Sequence, residues 1–125
     1  MKVTSVLYMA ELEPSIEFWT KRIGFEVTVS VPDGSKVGFV ILQKGDAEVM
    51  LQSHSSAQND VPGLADFCRQ AKTALFVEVE DFNDILKRVE GLPVALPVRK
   101  TFYGMTEVGL FEPGGNLVVF GARIS

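Results

Sequence analysis

Apolar and polar positions follow one layout twice along this chain. Residues 3 to 9 form an apolar run that closes on Ala10-Glu11 and predicts a β-strand. Ile16, Trp19 and Ile23 then recur at helical spacing over 13 to 23, with Pro14 in the first turn and Gly24 just past the end. Apolar and β-branched runs at 26 to 31 and 37 to 43 flank Pro32-Asp33-Gly34-Ser35 and predict a hairpin. Lys44-Gly45-Asp46 leads into a further strand over 47 to 52. About seventy residues on, the layout returns. It predicts a strand at 73 to 79 and a helix at 81 to 90 carrying Ile85, Leu86 and Val89, then Gly91. A short strand near 94 to 98, a hairpin strand at 105 to 111 and a last strand at 116 to 122, after Pro113-Gly114-Gly115, complete the copy.

Two such copies predict an α+β fold of two βαβββ modules related by a pseudo-twofold, with any pocket lying between them. The expected organisation is a single domain, 1–125, with module one at 1–52, a linker at 53–72 and module two at 73–125. The linker is rich in Ser, Asn, Asp, Pro and Gly, and its apolar patch at Leu64, Phe67 and Cys68 leaves room for one helical turn.

Strand parity separates two faces, because successive side chains of a strand point to opposite sides. One parity collects Leu7, Met9, Val49, Leu51, Leu75, Val77, Val118 and Phe120, an apolar set expected beneath the two helices. The other collects Thr4, Val6, Tyr8; Glu48, Met50, Gln52; Ala74, Phe76, Glu78; and Leu117, Val119, Gly121. This mixed face suits the wall of a cavity better than a core or an open surface.

Composition removes several classes of function. With 125 residues, 46% hydrophobic and 22% charged, the chain has an ordinary globular composition for one core. No apolar run approaches a membrane span and no signal peptide precedes Glu11, so a cytoplasmic location is expected. The single cysteine, Cys68, agrees with a reducing compartment and has no activating base nearby in sequence. A net charge of −4 without a basic cluster argues against nucleic-acid binding. Lys21-Arg22 and Lys87-Arg88 fall in the last turns of the two predicted helices, where cations oppose the helix dipole.

The paired modules resemble the vicinal oxygen chelate superfamily, which includes glyoxalase I, extradiol dioxygenases, fosfomycin-modifying enzymes and bleomycin-resistance proteins. The resemblance rests on Leu12-Glu13-Pro14-Ser15-Ile16-Glu17-Phe18-Trp19-Thr20-Lys21-Arg22-Ile23-Gly24, on Tyr103-Gly104-Met105-Thr106-Glu107 and on Glu112-Pro113-Gly114-Gly115-Asn116-Leu117. It covers nearly the whole chain and is weakest over 53 to 72. It implies a curved mixed sheet forming a cup, with helices on the outer face, and a homodimer, for which Trp19, Phe25 and the strand edges are expected to supply apolar surface. In metal-dependent members the ligand positions match Thr4, Met50, Ala74 and Val119 here, and none of these is a His or a carboxylate. The sole histidine, His54, lies in the linker and reads as a solvated side chain.

The resemblance therefore implies the bleomycin-resistance-like branch: a metal-independent protein that binds a small organic molecule, with no metal and no cofactor. The expected ligand-binding residues are Tyr8, Glu48, Met50, Gln52, Phe76, Glu78, Tyr103 and Glu107, around apolar walls from Val6 and Val119. Such walls with few acceptors suit an aromatic or cationic ligand. One alternative is a lyase, isomerase or transferase of the same fold, with metal ligands supplied unconventionally or with metal-free acid-base catalysis by Glu48 or Glu78. The other is an interaction or regulatory module whose cup is filled by Tyr8, Met50 and Phe76 packed together.

Overall fold

The computed structural model describes residues 1–124. Eight strands form two four-stranded sheets, one per module. Module one contains β1 (Ser5–Met9), α1 (Glu13–Glu17), β2 (Glu26–Asp33), β3 (Lys36–Lys44) and β4 (Ala47–Ser53). Module two contains β5 (Ala74–Glu78), α4 (Phe82–Arg88), β6 (Val94–Lys100), β7 (Met105–Phe111) and β8 (Leu117–Arg123). The sheet orders, β1-β4-β3-β2 and β5-β8-β7-β6, are the same pattern twice. In each, the first strand is an edge strand that pairs in parallel with the last, and the remaining pairs are antiparallel.

The first helix departs from regular α geometry for a reason visible in its sequence. Past Glu17 it continues as a π-helical turn, Phe18–Ile23. The wider turn seats the adjacent residues Phe18 and Trp19, together with Ile23, in the core, which an α-helix would turn to different sides. Gly24, at φ 93°, ends the helix in the left-handed conformation that glycine adopts without strain. The second helix is capped by the Asp81 carboxylate, which accepts from the Asp84 amide at 3.0 Å. Both helices end in basic pairs. These also join the modules: Arg22 donates to the carbonyls of Arg88 (3.1 Å) and Glu90 (2.9 Å), and Arg88 donates back to that of Arg22 (3.2 Å).

One core serves both modules. Leu7, Met9, Val40, Leu42, Val49 and Leu51 of the first sheet join Val108, Leu110, Val118 and Phe120 of the second, with Phe18, Trp19, Ile23, Ile85 and Val89 from the helices. Leu75 and Val77 pack against this cluster half-buried. The apolar parity is therefore the one beneath the helices, and each mixed face points away from the common core.

A buried polar latch reinforces the junction. Glu112 and Ser15 are almost fully buried, and Ser15 Oγ donates to Glu112 Oε2 at 2.6 Å across the modules. The same carboxylate accepts from the amides of Gly114 and Asn116, both at 2.8 Å, and from Asn116 Nδ2 at 3.0 Å. Four donors around one buried carboxylate replace the water it gives up.

Two expectations are corrected. The linker is not one helical turn but α2 (His54–Asp60), a 3₁₀ turn (Pro62–Leu64) and α3 (Ala65–Gln70). Ser53, read as the first linker residue, closes β4 and caps α2 by accepting from the Ser56 amide, a local hydrogen bond that composition does not reveal. Trp19 and Phe25 offer no surface to a partner, since they are 1% and 6% exposed and stack edge-on at 5.0 Å. On the strands, the exposed large apolar side chains are instead Val27, Val29 and Val31 on β2 and Phe76, Val94, Val98 and Phe111 on the second sheet.

Candidate functional site

The mixed faces hold the expected site residues, and register fixes how they line up. In module one, Val6 lies opposite Met50 and Tyr8 opposite Gln52; Met50 in turn faces Ile41 on β3, and Gln52 faces Phe39. In module two, Phe76 lies opposite Val119 and Glu78 opposite Gly121, which faces Glu107 on β7. Glu107 faces Arg99 on β6. The two faces are built on one plan and differ in chemistry.

Module one presents an apolar, half-buried face whose margin is covered by the linker. Tyr8, Ile41, Met50 and Phe39 are half-buried. Cys68 of α3 is buried against Tyr8; burial first, and then the hydrogen bond to the Cys68 thiol, pushes the Tyr8 phenol above its ordinary range. Gln52 Nε2 donates to Ser56 Oγ of α2 at 3.2 Å. A cavity of about 550 Å³ opens here, lined by Val31, Phe39, Gln52, Ser56 and Asn59. His54 opens α2, and burial, then the charges of Arg69 and Lys72, hold its imidazole below the ordinary value.

Module two presents a more polar face. Glu107 is 1% exposed although it stands on the mixed face. Its Oε1 accepts from Arg99 Nε at 3.2 Å and Nη2 at 3.0 Å, and its Oε2 accepts from the Tyr103 hydroxyl. That hydrogen bond, followed by desolvation, raises the Tyr103 phenol above its ordinary range. Gly121 carries no side chain, and the Phe76 ring lies over it in the space a side chain would take: a Cβ there would meet that ring at 2.6 Å. Phe76 remains 52% exposed.

Glu48 and Glu78 share a cavity at the seam between the sheets. It has a volume of about 330 Å³ and is lined also by Val3, Phe76 and Leu75. Glu48 accepts from Lys2 (2.8 Å), Thr4 (3.0 Å) and Gln43. These partners, Lys2 first and then Gln43, hold its carboxyl below the ordinary carboxylate range. Glu78 has Arg123 at 3.8 Å. A carboxylate already engaged by three donors is a poor general base.

The four positions implied for metal ligands do not fit a divalent cation. The Thr4 hydroxyl is engaged with Glu48, and Met50, Ala74 and Val119 offer no nitrogen or oxygen donor from their side chains. Among the described residues, no three His, Cys, Asp or Glu side chains converge as metal ligands. No described helix is long and apolar enough to cross a membrane.

Sequence reasoning missed Arg99 as a partner of Glu107. Parity along β6 is broken by register shifts between Val94 and Leu96 and between Leu96 and Arg99, so counting alternate residues cannot pair them. It also missed Cys68 over Tyr8, which depends on how α3 folds back on β1.

A sequence model of the Glyoxalase/Bleomycin resistance protein/Dioxygenase superfamily matches residues 3–120. No curated protein matches the sequence significantly. Several solved structures share the fold. Lactoylglutathione lyase from Agrobacterium tumefaciens superposes with a TM-score of 0.76 at 18% identity, over 98% of this chain and 92% of its own. The bleomycin-binding protein of bleomycin-producing Streptomyces verticillus, complexed with copper(II)-bleomycin, gives 0.65 at 20% identity, over 98% and 95%. TioX from Micromonospora sp. ML1 gives 0.73 at 15% identity, over 100% and 98%. At these identities the likeness carries the fold alone.

Proposed function

The chain belongs to the Glyoxalase/Bleomycin resistance protein/Dioxygenase superfamily, and we propose that within it this protein binds a small organic molecule without metal chemistry. The observation that carries this reading is the donor set at Thr4, Met50, Ala74 and Val119, which keeps the mixed faces but supplies nothing to hold a cation. Val6, Tyr8, Phe39, Met50 and Phe76 give those faces the apolar and aromatic lining of a ligand site, with few polar groups to orient what binds.

The cup is completed by a second copy. Each mixed face points away from its own chain's core, and Val27, Val29, Val31, Phe76 and Phe111 are left uncovered. A homodimer that sets module one of one copy against module two of the other encloses a site from the two half-faces. The acid-base reading is less well supported, because Glu48 is engaged with Lys2, Thr4 and Gln43.

The test is elemental analysis of protein purified without a histidine tag, with thermal melts in Zn(II), Ni(II), Mn(II), Fe(II) and chelator. The expected result is substoichiometric metal and an unmoved melting temperature, with stabilisation by aromatic small molecules that grows with their concentration. Stoichiometric metal lost to chelator together with stability would overturn the reading.

A further inference from the structure

Glu107 is among the ligand-binding residues expected from the sequence, yet its carboxylate is turned inward. Its side chain is 2% exposed, and both oxygens are engaged by Arg99 and Tyr103. A cation could reach it only by displacing the guanidinium. Arg99 is placed the other way. Its side chain is 53% exposed, and of five N–H donors it commits two to Glu107, at 3.2 and 3.0 Å. The remaining donors project in the guanidinium plane that Glu107 fixes. Half-exposed aromatic rings adjoin this group: Tyr103, bonded to the same carboxylate, and Phe76, lying over Gly121 directly across the ladder from Glu107.

We propose that Arg99, held by Glu107, is the specificity-determining residue of the module-two half of the cup, and that it selects an aromatic ligand bearing a carboxylate. A guanidinium with a fixed fork matches the two oxygens of a carboxylate, and a buried counter-charge orients it before the ligand arrives. The neighbouring rings hold the flat body of the same molecule. This inference rests on reading the mixed faces as a binding surface.

The experiment compares three probes of one shape on the full chain: 1-naphthoate, 1-naphthylmethylammonium and neutral 1-naphthalenemethanol. Binding is followed by amide and arginine Nε–H resonances. The native protein is expected to bind naphthoate tightest, with the Arg99 Nε–H signal shifting. Arg99→Gln alone would strand a buried carboxylate, so the key variant is Arg99→Gln with Glu107→Gln, which keeps a neutral hydrogen-bonded pair. It is expected to lose at least about tenfold in naphthoate affinity, the scale of one charge-assisted contact, while the neutral probe is unchanged. Arg99→Lys keeps the charge without the fork and is expected to fall between. Tighter binding of the ammonium probe, or naphthoate binding unaffected by the double variant, would overturn the inference and leave the binding function standing. If no probe perturbs either mixed face at millimolar concentration, both fail.

Discussion

The two modules share a sheet order and a core parity, and they differ on the faces turned away from that core. Where module one sets Phe39 opposite Gln52, module two sets Glu107 opposite Gly121. Where module one has Ile41 opposite Met50, module two has Gly109 opposite Val119. Away from the Lys2–Glu48 pair at its end, module one's face is aliphatic and aromatic and is partly roofed by α2 and α3; module two's carries the Arg99–Glu107 pair at its centre and stands open at Phe76. The comparison teaches that the repeat constrains packing but not chemistry. A core position must fit its neighbours in both copies, whereas a position facing a cavity answers only to what occupies it.

The deepest test of that comparison is in the core. Leu51→Ala and Phe120→Ala each empty a fully buried position, one per sheet, and each is expected to cost about 3 kcal/mol by denaturant unfolding. Because one cluster spans both modules, either variant is expected to weaken hydrogen-exchange protection in both sheets. Loss confined to the mutated module would break the idea of a common core.

Next in size are the turns before the two last strands, which are held differently. The turn before β8 is latched across the modules to Ser15 through buried Glu112, whereas the turn before β4 is held within module one by Lys44 donating to the Ile23 carbonyl at 2.7 Å. Glu112→Ala leaves several buried donors unpaired and is expected to cost roughly 2 kcal/mol, against about 0.5 kcal/mol for Lys44→Met. Equal effects would show that the latch adds nothing to the junction.

A smaller change concerns Phe76. Gly121→Ala sets a methyl against its ring, and because the ring is half-exposed it can swing outward, at a stability change within about 1 kcal/mol. The expected signature is a shift of the Phe76 ring resonances with weaker probe binding, and unchanged binding would remove Phe76 from the site.

The smallest effects are in pH. His54 is held below its ordinary value, so stability is expected to fall as pH drops from above that value through the folded one. Glu48 is also depressed, so its contribution persists to lower pH and is lost as pH falls through its folded value. Tyr103 is raised, so its contribution is present below the ordinary phenol range and is lost as pH rises through its folded value. Stability curves of His54→Gln, Lys2→Met and Tyr103→Phe should therefore depart from the native curve in separate windows, the first two acidic and the last alkaline. A single shared window would refute these assignments.

The duplication, the eight strands to within a few residues, and the parity of the core are all legible along the chain. These follow from local periodicity and turn residues, and Leu7, Leu51, Val118 and Phe120 lie where alternation puts them. The same counting puts Tyr8, Met50 and Phe76 on the mixed face, whereas Glu107 is legible only through the family resemblance. What those residues touch depends on the tertiary fold. The register shifts in β6 bring Arg99 onto Glu107, the fold of α3 brings Cys68 onto Tyr8, and the junction buries Ser15 with Glu112. Each of these contacts depends on a bulge or on packing between distant segments, and a carboxylate's role is set by its partners rather than by its place in the chain.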